Sequence, residues 1–226
     1  MSQTNRFERT AAAYAEEASR RDWRPLVEWC LPDAGDSALD VAAGPGMLSA
    51  ALLGSVRRAV ALDASAGLLA HAPEVVETIV GDASDLPFAD GSFDIVTCVN
   101  GLHHLDHPEL ALAEMARVLA PGGRIVLQDY LADPDPVRAE RWDEIERLRA
   151  DDHRRLPRDG DAWSWLARRG VAIDEEREWE STWQVARWVE LAGCDAATAA
   201  RIEELIGAPT FTIRSWRARY VKTRVG

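Results

Sequence analysis

The chain has 226 residues, of which 47% are hydrophobic, and its formal net charge at pH 7 is −12. This size suits a single domain with a substantial core, and the negative charge argues against a nucleic-acid partner. The sequence contains no apolar run long enough to span a membrane, no N-terminal signal pattern and no paired cysteines. We therefore expect a soluble cytoplasmic protein that does not bind a membrane.

The first thirty or so residues predict helices, in ERTAAAYAEEASRR and PLVEWCL. Five apolar runs then alternate with helical segments: SALDVA (37–42), RAVALDA (58–64), VETIVGDA (76–83), FDIVTCVN (93–100) and RIVLQDY (124–130). Their Val, Ile and Leu residues mostly lack in/out alternation, which is typical of strands buried on both faces. Strand and helix in alternation predict a doubly wound α/β sheet with right-handed crossovers.

The clearest helix of this unit is PELALAEMARVLAPGG, which Pro108 opens and Pro121-Gly122-Gly123 ends. Its predicted apolar face consists of Leu110, Leu112, Met115, Val118 and Leu119.

Beyond residue 131, DPDPVRAERWDEIERLRADD predicts a helix capped by Asp133 and opened by Pro134. DAWSWLARRG, WQVARWVELAG and DAATAARIEELIG predict further helices, and VAIDEEREWE a sixth strand. TFTIRSWRARYVKTRV predicts a long closing strand, whose five cations between 214 and 224 favour an exposed sheet edge. We divide the single domain into N-terminal helices (1–32), a core (36–131), helical lid elements with strand 6 (132–208) and the closing strand (209–226).

Polar residues stand at or near the carboxyl ends of the five core strands, where open α/β sheets bind ligands. These residues are Asp40, Asp63, Asp82, Asn100 and Asp129. Four of the five are acids, so the rim would repel a pyrophosphate and would suit a cationic ligand rich in hydroxyl and amino groups. This pattern argues against a nicotinamide cofactor.

The first strand ends in DVAAGPG, where Gly44 and Gly46 allow a tight turn and a close approach of backbone to ligand. A dinucleotide fingerprint needs a third glycine, but that position is Ser49. Asp63 follows Gly46 by 17 residues, a position from which a carboxylate can accept hydrogen bonds from both hydroxyls of a ribose.

These residues resemble the class I S-adenosylmethionine-dependent methyltransferases, and within them the branch that includes ubiquinone/menaquinone biosynthesis enzymes and many small-molecule methyltransferases. The similar stretches are LDVAAGPG, VALDAS, GDASDLPFADGSFDIVTC and HPELALAEMARVLAPGGRIVLQD, in family order over residues 38 to 130. The resemblance implies a Rossmann-like, mostly parallel seven-stranded sheet with an antiparallel last strand and helical insertions after strands 5 and 6. Ala42 replaces the first loop glycine of many members.

The resemblance also implies S-adenosylmethionine as the cofactor and assigns its contacts. Four residues would surround its methionine part: Asp40, Ala42, Gly44 and Gly46. The ammonium group of the methionine part would contact Asp40. Asp63, with Ala64 beside it, would hold the ribose, while Asp82 and Ala83 would meet the adenine. Asn100 and Gly101 would pass under the sulfonium, and Tyr14 would either cover the cofactor or pack on the sheet.

The segment HHLDH carries His103, His104 and His107. A zinc site is disfavoured because Pro108 starts the helix after them and no paired cysteines or HExxH accompany them. His107 is interpreted as the residue leading into the helix. His103 and His104 lie near the expected sulfonium. One of them, with His104 preferred, would orient or deprotonate the acceptor. The alternative is that both histidines only line the pocket.

The insertions at 131–170 and 181–208 would build the acceptor pocket. They contain Trp142, Trp163, Trp165, Trp183 and Trp188, which serve equally well as pocket walls or as lid packing. The polar candidates are Asp129, Tyr130, His153 and Arg154, of which His153 is also a candidate catalytic residue. An arginine there would favour a carboxylate or phosphate on the acceptor. Asp152, His153 and Arg154 also resemble an acid-His-Arg segment of this branch.

The sequence thus predicts methyl transfer from S-adenosylmethionine to an O, N or C nucleophile of a small, partly aromatic or apolar metabolite. Two alternatives stay open: a nicotinamide-dependent oxidoreductase on a similar fold, and a non-catalytic protein that binds S-adenosylmethionine. The oligomeric state is not determined by the sequence.

Overall fold

The computed structural model describes residues 4–150 and 152–223, with side chains from Thr10 onward. Its helices are α1 (Thr4–Arg20), α2 (Arg24–Trp29), α3 (Met47–Leu52), α4 (Ala66–Leu69), α5 (Pro108–Val118), α6 (Pro136–Arg149), α7 (Asp161–Ala167), α8 (Val185–Leu191) and α9 (Ala196–Ile206). Its strands are β1 (Ser37–Val41), β2 (Arg58–Asp63), β3 (Glu77–Val80), β4 (Phe93–Val99), β5 (Leu119–Tyr130), β6 (Val171–Gln184) and β7 (Thr210–Lys222). No helix among these residues is long and apolar enough to cross a membrane.

The strands form one seven-stranded sheet in the order β3-β2-β1-β4-β5-β7-β6. The five core strands pair in parallel, and β7 runs antiparallel to both β5 and β6. This confirms the predicted fold class, including the antiparallel last strand. The strand order reverses between β1 and β4, which creates a crevice at the carboxyl ends of these two neighbours.

Separate hydrophobic clusters cover the two faces of the sheet and the lid. Leu112 and Met115 of α5 pack on one face, and Leu26 of α2 and Leu52 of α3 pack on the other. A third cluster lies outside the sheet, where Trp188 of α8 packs with α6 and α9. The helical insertions after β5 and β6 therefore have a small core of their own.

Three details of the sequence prediction are wrong. β3 is largely exposed instead of buried on both faces, because it forms the free edge of the sheet. Asp135, two residues after the predicted cap, caps α6 and accepts hydrogen bonds from the N–H groups of Val137 and Arg138. In α5, Leu110 faces solvent with 47% of its surface exposed.

The expected edge position of β7 is also wrong, because β7 lies between β5 and β6. Its cations are bonded within the fold. Arg219 is 8% exposed and bonds Asp174, Glu175 and the carbonyl of Trp29. Lys222 donates to two main-chain carbonyls at the end of α5, while Arg224 lies outside the described residues.

The turns after β1 and β4 touch each other at the crevice. Ala42 and Asn100 both have φ of 54°, a left-handed conformation that is strained for residues other than glycine. A Cβ on Gly101 would stand 2.7 Å from the Cβ of Ala42 and 3.0 Å from the Sγ of Cys98. Only glycine at 101 therefore accommodates the alanine at 42.

We predict that Gly101→Ala destabilises the protein by about 1–3 kcal/mol, because the added methyl overpacks this contact. Chemical denaturation measures the effect. Adding Ala42→Gly should restore part of the loss, because it removes one of the two clashing carbon atoms and relieves the positive φ. Strictly additive effects of the two substitutions would contradict a direct contact.

Candidate active site

A cleft of about 1030 Å³ opens at the carboxyl ends of the parallel strands. Its walls come from α1, from the turns after the core strands and from the lid. The lining includes most of the residues assigned to the cofactor from the sequence: Tyr14, Ala42, Gly44, Asp63, Ala64, Asp82, Ala83, Asn100 and Gly101. The cleft is therefore the candidate active site.

Asp63 ends β2 and faces the cleft across the turn after β1. Its two carboxylate oxygens accept hydrogen bonds from the main-chain N–H groups of Gly44 and Ser65, each at 2.8 Å. Burial raises the pKa of Asp63, and these N–H bonds oppose that shift. Each oxygen still has a lone pair for a ligand hydroxyl, so Asp63 also links the loop to any ribose bound here.

Gly44 and Asp82 leave room for a ligand. Gly44 has a φ of 56°, and no atom lies within 4 Å of the position that a Cβ would occupy. Asp82 uses Oδ1 for the main-chain N–H and the hydroxyl of Ser84, at 2.8 and 2.7 Å, and these bonds lower its pKa. Oδ2 has no hydrogen-bond donor among the described residues and is suited to an amino group.

Asp40 and Gly46 do not line the cleft. Asp40 is 3% exposed and accepts hydrogen bonds from the hydroxyls of Thr97 at 2.6 Å and Ser49 at 3.2 Å. Burial raises its pKa to about 7, which the two hydroxyls partly counteract. In this structure Asp40 therefore supports the loop from beneath, and its contact with a ligand ammonium stays a prediction. A Cβ on Gly46 would meet Ala72 at 3.2 Å, so this glycine serves packing.

His103 and Asp129 form a buried pair on the cleft wall. Nδ1 of His103 lies 2.6 Å from Oδ1 of Asp129, whose other oxygen accepts the His103 main-chain N–H at 3.3 Å. Burial alone would lower the pKa of His103, but the charge and hydrogen bond of Asp129 outweigh it, so the pKa is raised. Nε2 has no hydrogen-bond partner among the described residues, which leaves it available to a cleft ligand.

Two further imidazole–carboxylate pairs lie beside the first. Nδ1 of His104 is 3.1 Å from Asp152, and its ring centroid is 4.0 Å from that of His103. Nε2 of His153 is 2.7 Å from Asp143, but His153 does not line the cleft. Each imidazole thus has its own carboxylate, and His107 stands at the start of α5 without a side-chain capping bond.

Three residues expected at the acceptor lie elsewhere or play another part. The ring of Trp142 stacks on Trp188 and contacts Phe211 inside the lid core, so it does not face the cleft. Arg154 binds Asp106 and is absent from the cleft wall, as is His153. Their positions follow from packing of the lid, which sequence spacing does not reveal.

Other expected acceptor residues do reach the cleft. Tyr130, Asp129 and Trp183 line it, together with Trp179 and Trp188. Burial, followed by the charge of Asp129, raises the pKa of Tyr130, so its hydroxyl stays protonated. The part of the cleft where the acceptor is expected therefore has several aromatic side chains, together with polar ones that include His103, Gln128 and Arg149.

Sequence reasoning missed Arg149 and Arg21 as cleft residues, whereas Asp152 of the acid-His-Arg segment does line the cleft. Arg149 stacks at 4.4 Å over Trp188, binds Glu146 at 2.9 Å and bonds Tyr14. This links the lid to α1 and gives Tyr14 a structural partner. The spacing of Glu146 and Arg149 on one helix face could have indicated an ion pair. It could not have indicated that the pair is buried, because burial depends on packing between distant segments.

Residues 39–127 match the family model described as "Methyltransferase domain". A demethylmenaquinone methyltransferase of Corynebacterium glutamicum is 35% identical over 176 residues, which cover 76% of this chain and 74% of the relative. One from Clavibacter sepedonicus is 43% identical over 122 residues, and this match spans only half of that relative's length. The crystal structure of YcgJ from Bacillus subtilis superposes with a TM-score of 0.84 at 26% identity, covering 90% of this chain and 98% of YcgJ.

The raised pKa of Asp40 predicts a pH-dependent stability. Between pH 3.8 and about 7 the folded protein keeps a proton that the unfolded chain releases, so rising pH destabilises the fold by at most about 1.4 kcal/mol per unit. Asp40→Asn has no such proton. We expect the melting temperature of this variant, relative to wild type, to rise steadily from pH 4 to pH 7.5.

Glu203→Gln, on an exposed position of α9, is the matched control and should show a constant difference. A difference for Asp40→Asn that does not change with pH would contradict the raised pKa, whatever the absolute stability of the variant.

Proposed function

Since the chain belongs to the class I S-adenosylmethionine-dependent methyltransferases, in the branch of the ubiquinone/menaquinone biosynthesis enzymes, we propose that it methylates an oxygen or an acidic carbon of a small, planar metabolite. The observation that carries this proposal is the His103–Asp129 pair on the wall of an aromatic cleft. A base is needed only when the acceptor must lose a proton, as a phenol, an enol or a quinol does.

The residues of the cleft fit S-adenosylmethionine. Asp63 would hold the ribose hydroxyls and Asp82 the adenine amine, while the open backbone at Gly44 admits the methionine part. Ala42 and Gly101 would form the floor near the sulfonium. When bound, the cofactor supplies an electrophilic methyl group on a positively charged sulfur, and the acidic rim favours that charge.

Removal of the acceptor proton is the task we assign to His103. With Nδ1 held by Asp129, Nε2 would take the proton of the acceptor O–H or C–H. The electron pair left on the acceptor would then bond the methyl carbon, while the carbon–sulfur bond of the donor would break and leave its electron pair on sulfur. The resulting imidazolium is stabilised by the buried Asp129 carboxylate. We prefer His103 over His104, because the Asp129 contact is shorter and better buried than the Asp152 contact.

The walls around this base suit a planar acceptor. Tyr130 has its ring centroid 6.1 Å from that of His103, and Trp179 and Trp183 border the same cleft. Aromatic side chains offer flat apolar surfaces, which stack on rings more readily than on branched chains. Both sequence relatives described above carry the name demethylmenaquinone methyltransferase, so a reduced naphthoquinone is the first acceptor to test.

We predict that His103→Gln lowers kcat by about 10²–10⁴-fold, the usual contribution of a general base, and leaves S-adenosylhomocysteine affinity within about threefold. Transfer of labelled methyl from S-adenosylmethionine to reduced naphthoquinones and simple phenols measures turnover. His71→Gln, an exposed histidine outside the cleft, is the control and should behave as wild type. Undiminished turnover in His103→Gln would refute the proposed base.

The pH profile separates catalysis from a structural role. His103 acts only when neutral, so wild-type turnover should fall with acid through a pKa above the ordinary histidine value of about 6.5. Asp129→Asn removes the charge that raises this pKa and leaves burial, which lowers it. The acidic limb should therefore move to lower pH, and the plateau should drop because a less basic imidazole accepts the proton.

A further inference from the structure

Arginines on the cleft wall differ in how their charge is neutralised. Arg20 is bonded to Glu16, and Arg149 to Glu146. Arg21 lines the same cleft and has no carboxylate partner among the described residues. In a chain with a net charge of −12, a half-buried arginine without an acid is unusual.

The guanidinium of Arg21 is held by an aromatic ring. It stacks on Trp23 with its carbon 4.4 Å from the ring centroid. Trp23 is itself fixed, because its Nε1 donates to the carbonyl of Ala18 at 2.9 Å. Stacking orients the guanidinium and uses none of its N–H donors, so the group is ready for a planar two-oxygen acceptor.

A second arginine makes this corner more positive. Arg217 donates two hydrogen bonds, at 2.9 and 2.6 Å, to Oε1 of Gln128, a neutral group that lines the cleft. Burial lowers the pKa of Arg217, and repulsion by Arg21 adds to the shift. Burial likewise lowers the pKa of Arg21, and the interaction with Tyr130 opposes this shift. Both cations would gain from an anion in the cleft.

We propose that Arg21 binds a carboxylate inside the active-site cleft. This inference extends the proposed function, and the carboxylate has two possible sources: the amino-acid end of the cofactor, or an acidic group on the acceptor. Either source pairs a carboxylate with the guanidinium in two parallel hydrogen bonds. The sequence suggested Arg154 as the arginine that binds an anion, but Arg154 is bonded to Asp106. We assign this role to Arg21 instead.

Calorimetric titration of wild type and Arg21→Met tests the proposal without requiring turnover. S-adenosylhomocysteine carries the carboxylate of the cofactor, and 5′-methylthioadenosine lacks the whole amino-acid end. Salicylate and catechol, added to protein saturated with S-adenosylhomocysteine, form the corresponding acidic and neutral pair for the acceptor. Arg24→Met is the matched control, because Arg24 is an exposed neighbour that binds Asp22 outside the cleft.

We expect Arg21→Met to lose about tenfold or more in affinity for one acidic ligand while the neutral ligand of that pair binds as before. Loss for S-adenosylhomocysteine assigns the carboxylate to the cofactor, and loss for salicylate assigns it to the acceptor. Wild-type affinity for all four ligands, or equal losses within both pairs, would overturn the proposal. Wild-type protein that binds these ligands but transfers no methyl group to any tested acceptor would instead count against the proposed function, and the Arg21 result would stand.

Discussion

The contact between the turns after β1 and β4 determines the geometry of the whole site. At the switch point of the sheet these turns are direct neighbours, and the methyl group of Ala42 occupies the space that a side chain at position 101 would need. Both turns carry a left-handed residue, so the backbone is bent twice within a few ångströms. Asp63 then joins the first turn to β2 through the N–H of Gly44. The cleft is therefore shaped by backbone before any ligand arrives.

Carboxylates at the strand ends serve two different purposes, which burial separates. Asp63 and Asp82 lie at the cleft and keep acceptor capacity for a ligand. Asp40 is enclosed with Thr97 and Ser49 and supports the loop from below. Asp129 has a third use, since it orients an imidazole. Carboxylates near the ends of these strands thus line the cleft, support the loop beneath it and bind an imidazole.

The sequence was informative where local pattern and topology coincide, so it predicted the fold class and most cleft residues assigned to the cofactor. Apolar runs and glycine turns are local signals, and parallel strands bring their ends together by necessity. The lid was harder, because nothing local distinguishes Trp142, enclosed by Trp188 and Phe211, from Trp183 on the cleft wall. Arg21 escaped notice for a related reason: that it stacks on Trp23 and has no carboxylate partner among the described residues depends on its three-dimensional neighbours. The position of β7 was predicted wrongly, because its arginines form ion pairs with acidic residues of β6 and are not at a free sheet edge.

The lid cluster of Ile145, Val185, Trp188, Val189 and Ile202 is distinct from the clusters that cover the sheet. The lid cluster contacts the sheet through Trp183 of β6 and Phe211 of β7, and it includes no residue of the turns after β1 and β4. Substitutions that reshape the aromatic wall can accumulate without disturbing the turns that receive the methyl donor. A protein assembled this way can acquire new acceptors over evolutionary time while its donor half stays constant.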